Sequence, residues 1–188
     1  MRYIIALFLA VAASPALAVE TSSGLLSGLL HPVLGFDHLL AMVGVGLLSV
    51  QIGHKHIWTL PACFVLFLML GGILGLIGVP LPQVEGVIAA SVFVLGLAIA
   101  TSGSIGAVVA YPIVAIFAIF HGHAHGMEVP TLDNPTSYVI GFMVASAVLH
   151  LIGVGIGYIV KTESLRAQIG SGAAGIGLYM LLLTYSIV

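Results

Sequence analysis

Six apolar segments, each near the length of a bilayer crossing, leave this chain few ways to fold. They run approximately over 23–50, 57–78, 84–101, 104–127, 136–160 and 168–187. Each reaches or nearly reaches the ~20 residues that cross ~30 Å of hydrocarbon at 1.5 Å per residue. In lipid the backbone must satisfy its own hydrogen bonds, so segments of this kind become helices. Only 5% of the residues are charged and 61% are hydrophobic, whereas soluble domains carry about 25% charged residues. The reading is an all-α, polytopic integral membrane bundle. The breaks carry turn chemistry: Gly53-His54-Lys55-His56, Val79-Pro80-Leu81-Pro82, Ser102-Gly103-Ser104, Pro130 to Pro135, and Lys161 to Gln168.

The N-terminus reads as a processing segment. Arg2 supplies a positive start, Tyr3 to Ala13 an apolar run, and Ala16-Leu17-Ala18 an A-x-A cleavage signal. Residues 1–18 are thus expected to be a signal peptide, and 19–188 a six-helix transmembrane domain. Charge placement orients it. With the mature N-terminus outside, Lys55, Lys161 and Arg166, all the basic residues after Arg2, fall in inward-facing loops, as the positive-inside rule requires. Glu20, Glu85, Glu128 and Asp133 fall outside, and Glu163 is the one inside acid. The expected location is a bacterial inner (cytoplasmic) membrane, with both mature termini periplasmic.

Several function classes drop out. There is no basic patch to hold nucleic acid, and no G-x-x-x-x-G-K-[ST] loop for ATP hydrolysis. The single Cys63 excludes an intramolecular disulfide and a zinc–thiolate cluster. Small-xxx-small pairs at Gly24/Gly28, Gly71/Gly75, Gly122/Gly126 and Gly153/Gly157 read as close helix packing.

Against this background two polar clusters stand out. The first is His31-Pro-Val-Leu-Gly-Phe-Asp37-His38, and the second is Phe120-His121-Gly-His123-Ala-His125-Gly-Met127-Glu128. Together they hold five of the eight histidines. Ionisable groups at membrane depth cost about 2.5–3.5 kcal/mol each on insertion scales and mark functional sites. If the first span is one helix, His31 and His38 share a face, Met42 continues the stripe, and Asp37 points about 100° away from His38. In the fourth span His121 and His125 form an i, i+4 pair with Glu128 below them. His123 faces away unless Gly122 and Gly126 loosen the helix. If spans one and four are neighbours, an imidazole- and carboxylate-lined path descends from outside to mid-membrane.

Imidazole and carboxylate without thiolate suit borderline divalent ions such as Ni²⁺, Co²⁺, Zn²⁺ and Cu²⁺. Neutral histidine is the ligand form, so uptake is expected to weaken as pH falls through the imidazole range. The metal-ligand candidates are His31, Asp37, His38, His121, His125 and Glu128, with His123, Met42 and His150 as further candidates. Other readings compete. His150, alone in span five with Ser146 one turn before it, reads first as an interhelical hydrogen-bonding residue. His54 and His56 read as solvated loop residues, and Asp37–His38 also fits a structural pair.

At these residues the chain resembles the HupE/UreJ family of membrane proteins. The family's first motif is His, five residues, then Asp-His, and its second is Phe-His-Gly-x-Ala-His-Gly-x-Glu. His31, Asp37-His38 and the run Phe120 to Glu128 match both without departure. The resemblance implies a secondary nickel permease serving hydrogenase or urease, with some relatives linked to cobalt. It implies metal roles for His31, Asp37, His38, His121, His125 and Glu128, while His123 occupies a variable motif position. No prosthetic group is expected, since Ni²⁺ or Co²⁺ would be cargo. The expected partners are that ion and the bilayer, and a homo-oligomer and a downstream nickel chaperone are compatible with this reading. The alternatives are a permease for Co²⁺ or another divalent ion, a metal-binding accessory protein that does not transport, and an intramembrane metalloenzyme. The last lacks His-Glu-x-x-His and leaves no base or nucleophile once ligands are assigned, so no enzyme is expected.

Overall fold

The computed structural model describes residues 24–101, 105–129 and 134–187. The expected signal peptide, Glu20, the 102–104 hairpin turn and Asp133 lie outside the described residues. Among those residues there are seven α-helices and no strand. In chain order they are α1 (Gly24–Leu34), α2 (Phe36–Ile52), α3 (Thr59–Leu76), α4 (Val84–Ala100), α5 (Ala107–Glu128), α6 (Pro135–Ile159) and α7 (Glu163–Thr184), with a 3₁₀ turn at His54–His56 between α2 and α3. Start signals agree with the sequence: Asn134 caps α6, its side chain accepting from the Ser137 N–H, with Pro135 in the first turn.

Four helical segments are long and apolar enough to cross a membrane: His54–Leu76, α5, α6 and α7. The α1–α2 pair passes the same test together, giving a fifth. At 17 residues, α4 stands at the short end of the spanning range. These helices make the chain a multi-pass membrane protein.

The first span is not the single helix expected from its apolar run. It breaks at Gly35 and bends by 76°, so the seven-residue spacing of His31 and His38 does not place them on one helical face. Pro32 has no N–H to offer Gly28, which weakens the turn before the break. Gly35 itself is extended, at φ −80 and ψ 106. A Cβ there would come within 3.1 Å of Asp37 Oδ1 and 3.2 Å of His38 Nδ1, so the break is packed tightly against the motif it carries.

Backbone-to-backbone packing sets the arrangement. Side-chain atoms added at Gly28 and Gly46 would overlap the carbonyls of Tyr138 and His150. Thus α1 follows the first part of α6 and α2 the later part, in the same direction, and the bent pair does not double back. In the same way Gly71 and Gly75 of α3 abut the Ile119 and His123 carbonyls, while Gly122 and Gly126 of α5 abut Leu68 and Gly72. The small-xxx-small pairs therefore serve helix contact, as expected. The third pair is α4 with α7, which run antiparallel through Gly96 against Ala174 and Gly177 against Phe93. The parallel run of α2 and α6 brings the Lys55 and Lys161 ends to one side of the bundle. The core, with Met42, Val45, Phe64, Val114 and Ala118 fully buried, lies where α2, α3 and α5 converge.

Candidate metal centre

The break in the first span positions the site. It presents His31 from the last turn of α1 and His38 from the first turn of α2. Opposite them α5 stays a continuous helix from Ala107 to Glu128, so His121, His125 and Glu128 share one face. The two motifs meet. Ring centroids are 4.6 Å apart for His31 and His125, 4.4 Å for His125 and His38, and 4.7 Å for His38 and His121. Four imidazoles thus follow one another, alternating between the two elements.

Glu128 closes the outer end. Its Oε2 stands 3.8 Å from His31 Nε2 and 3.6 Å from His125 Nδ1. The donor atoms of His31, His125 and Glu128 all lie within 4.8 Å of one another, whereas ligands on one ion at ~2.1 Å sit roughly 3–3.4 Å apart. A small inward movement of Glu128, whose side chain is half-exposed, would close a three-ligand set. Exposure then falls along the row: Glu128 is exposed, His31 is partly buried, His125 and His38 are buried, and His121 is 0% exposed.

Hydrogen bonds fix which nitrogen of each inner ring carries a lone pair. His38 Nδ1 is 2.5 Å from Asp37 Oδ1, which also accepts the His38 backbone N–H at 2.7 Å. A carboxylate only accepts, so Nδ1 carries the hydrogen and Nε2 is left as a donor to metal. Ser91 donates its hydroxyl hydrogen to the Ile88 carbonyl at 2.6 Å. Its oxygen therefore accepts Nε2–H of His121 at 2.9 Å, leaving the lone pair on His121 Nδ1. Neither His38 Nε2 nor His121 Nδ1 has a hydrogen-bond partner among the described residues, and the same is true of both nitrogens of His125. Buried polar atoms are almost always paired. One nitrogen of a neutral His125 ring carries a hydrogen, so the row offers three lone pairs, on His38 Nε2, His121 Nδ1 and one nitrogen of His125.

Asp37 does not point 100° away from His38 but folds back onto its ring, the pair that the adjacent residues also allowed; carboxylate–histidine pairs of this kind are a known way to orient an imidazole. His31 groups with Glu128 and His125 at the outer end, and His38 pairs with His121 at the buried end.

The HupE / UreJ protein family model matches residues 5–180 of the chain. The chain belongs to this family. It is also 43% identical over 157 residues to Protein HupE of Rhizobium leguminosarum bv. viciae, covering 82% of each sequence. No solved structure matches it.

In this HupE/UreJ chain the three further candidates separate. The intact α5 turns His123 away from the row, and its Nε2–H donates to the Val79 carbonyl at 2.7 Å. Met42 is fully buried in the apolar core. His150 is 1% exposed and donates Nδ1–H to the Ser146 carbonyl of its own helix at 2.6 Å, not to another helix. His54 and His56 form the 3₁₀ turn at the other end of α2, with His56 Nδ1 3.1 Å from the Tyr111 hydroxyl.

Sequence reasoning missed the residues that frame the row. Ser91 orients His121, and Phe142 packs 4.2 Å from His125. Tyr138 stands 5.8 Å from His31, and Phe64 5.9 Å from His121. Tyr138 and Phe142 are an aromatic i, i+4 pair, a visible signal whose facing partner the sequence did not name. An otherwise apolar cavity of ≈ 190 Å³ between α3, α5 and α6 reaches His125 from the side.

Proposed function

We propose that this HupE/UreJ chain imports a borderline divalent ion, Ni²⁺ foremost, across the bacterial inner membrane. The reading includes six crossings, with α1 and α2 as one broken span and α4 as a short one, and periplasmic mature termini after signal-peptide removal. The observation that carries it is the graded row Glu128, His31, His125, His38, His121. Ligands spread along a path bind weakly enough to release, as permeation requires, whereas a resident metal would favour one closed shell. The ion is cargo, no prosthetic group is involved, and the chain performs no chemistry on a substrate.

In this scheme Glu128 attracts the hydrated ion, and its carboxylate offsets part of the charge as water is shed to His31 and His125. His38, held by Asp37, and His121, held by Ser91, then take the ion as neutral donors. Nickel over cobalt, and service to hydrogenase or urease, rest on the family association. The test is ion flux into liposomes holding the purified protein, run with Ni²⁺, Co²⁺, Zn²⁺ and Cu²⁺. Flux that saturates for Ni²⁺ or Co²⁺ and vanishes in His38→Ala supports import. Stoichiometric binding with no flux would make the chain a metal-binding accessory protein instead.

A further inference from the structure

His150 is the only buried histidine among the described residues that belongs to neither motif. It sits in an apolar stretch of α6, between Leu149 and Leu151, at 1% exposure. Its Nδ1–H is committed to the Ser146 carbonyl, 2.6 Å away. The Ser146 carbonyl also takes the His150 backbone N–H in the helical ladder of α6, and its second lone pair serves the ring. The tautomer is thereby fixed with the lone pair on Nε2, and His150 Nε2 has no hydrogen-bond partner among the described residues. A leucine would fill such a position without stranding a polar atom.

The position of the ring gives the atom a use. Phe64 of α3, fully buried, stands 4.9 Å from His150 and 5.9 Å from His121. His121 is the most buried member of the row, so the Phe64 ring is in contact with both the row and His150. The backbone confirms the depth: the His150 carbonyl abuts Gly46, eight residues beyond His38 on α2, or roughly 12 Å further along at 1.5 Å per residue. Side chains on a helix tilt toward its N-terminus, which on α6 aims His150 back toward the row.

We propose that His150 is an inward ligand for the permeating divalent ion, receiving it from His121 as the Phe64 ring in contact with both turns aside. This rests on the import reading. One imidazole with few companions binds weakly, which suits a release step better than a storage site.

The test uses the full chain in liposomes, in a Cys63→Ala background, with Co²⁺ and Ni²⁺ as probes. His150→Leu should leave equilibrium Co²⁺ binding at the outer row within about twofold of the parent and lower initial flux by about tenfold or more. His150→Cys should restore flux and add a Co²⁺–thiolate charge-transfer band, a signature that a purely structural residue would not produce. Parental flux in His150→Leu overturns the proposal. So does a Co²⁺-loaded His150→Cys protein without the thiolate band, which decides the matter even if the leucine variant fails to fold. Failure of the import reading looks different, because the parent protein itself would then carry no ion.

Discussion

Replacing Asp37 by asparagine separates a residue that orients a ligand from one that is a ligand. In the structure Asp37 spends Oδ1 on both the His38 ring and the His38 backbone N–H, at 2.5 and 2.7 Å. Asparagine keeps the size and an acceptor but loses the charge. A hydrogen bond to a charged group contributes about 1.5–3 kcal/mol, against about 1 kcal/mol for a neutral one. The difference, roughly 0.5–2 kcal/mol, predicts a two- to thirtyfold weakening of metal binding, overlapping the ~10–100-fold typical of lost outer-shell partners. Only 24% of the Asp37 side chain is exposed, so solvent screens the pair only in part. The assay is a Co²⁺ titration of the purified protein by optical absorption, with His38→Ala alongside. The expected order is parent, then Asp37→Asn, then His38→Ala with the deeper site lost. Parental affinity in Asp37→Asn would refute the orienting role. An Asp37→Asn protein as deficient as His38→Ala would make Asp37 a direct ligand.

Other expectations follow from the same geometry. Glu128→Gln should raise the half-saturating ion concentration for uptake several-fold while leaving the maximal rate nearly unchanged, since Glu128 stands at the exposed end of the row; an equal fall in maximal rate would move it into the rate-limiting step. Gly122→Val should lower thermal stability in detergent by about 1–3 kcal/mol or more, because a Cβ at Gly122 would overlap the Leu68 carbonyl. Gly172→Ala is the control, with nothing within 4 Å of the added atom and an expected gain of about 0.5–1 kcal/mol. His123→Gln should keep Co²⁺ affinity near the parent's, because His123 is turned toward the Val79 carbonyl; a large loss would return it to the binding row.

The sequence of α5 was the most legible part of the molecule. Its i, i+4 histidines and Glu128 lie on one face because the helix is intact, and periodicity transfers directly to geometry in an intact helix. The first motif was less legible for the same reason. Counting seven residues from His31 to His38 assumes unbroken helix, and Gly35 interrupts it. The chain still brings the two rings to 6.1 Å, but through a bend and not through a shared face. Asp37 divides the two readings: helical phase alone puts it 100° from His38, whereas the short carboxylate–imidazole bond matches the structural pair that the adjacent residues also allowed.

The residue pattern by itself determined that the chain is helical, apolar and membrane-spanning, because a bilayer tolerates few backbone forms. It also determined that the two motifs carry ionisable groups in places where such groups need a function. The tertiary structure alone decided that the motifs face each other, that Ser91 sets the tautomer of His121, and that Phe64 brings His150 into ring contact beside the row. Those outcomes depend on which helices pack together and at what height. That is fixed by glycine-to-carbonyl contacts between segments far apart in the chain, and local periodicity carries no record of them.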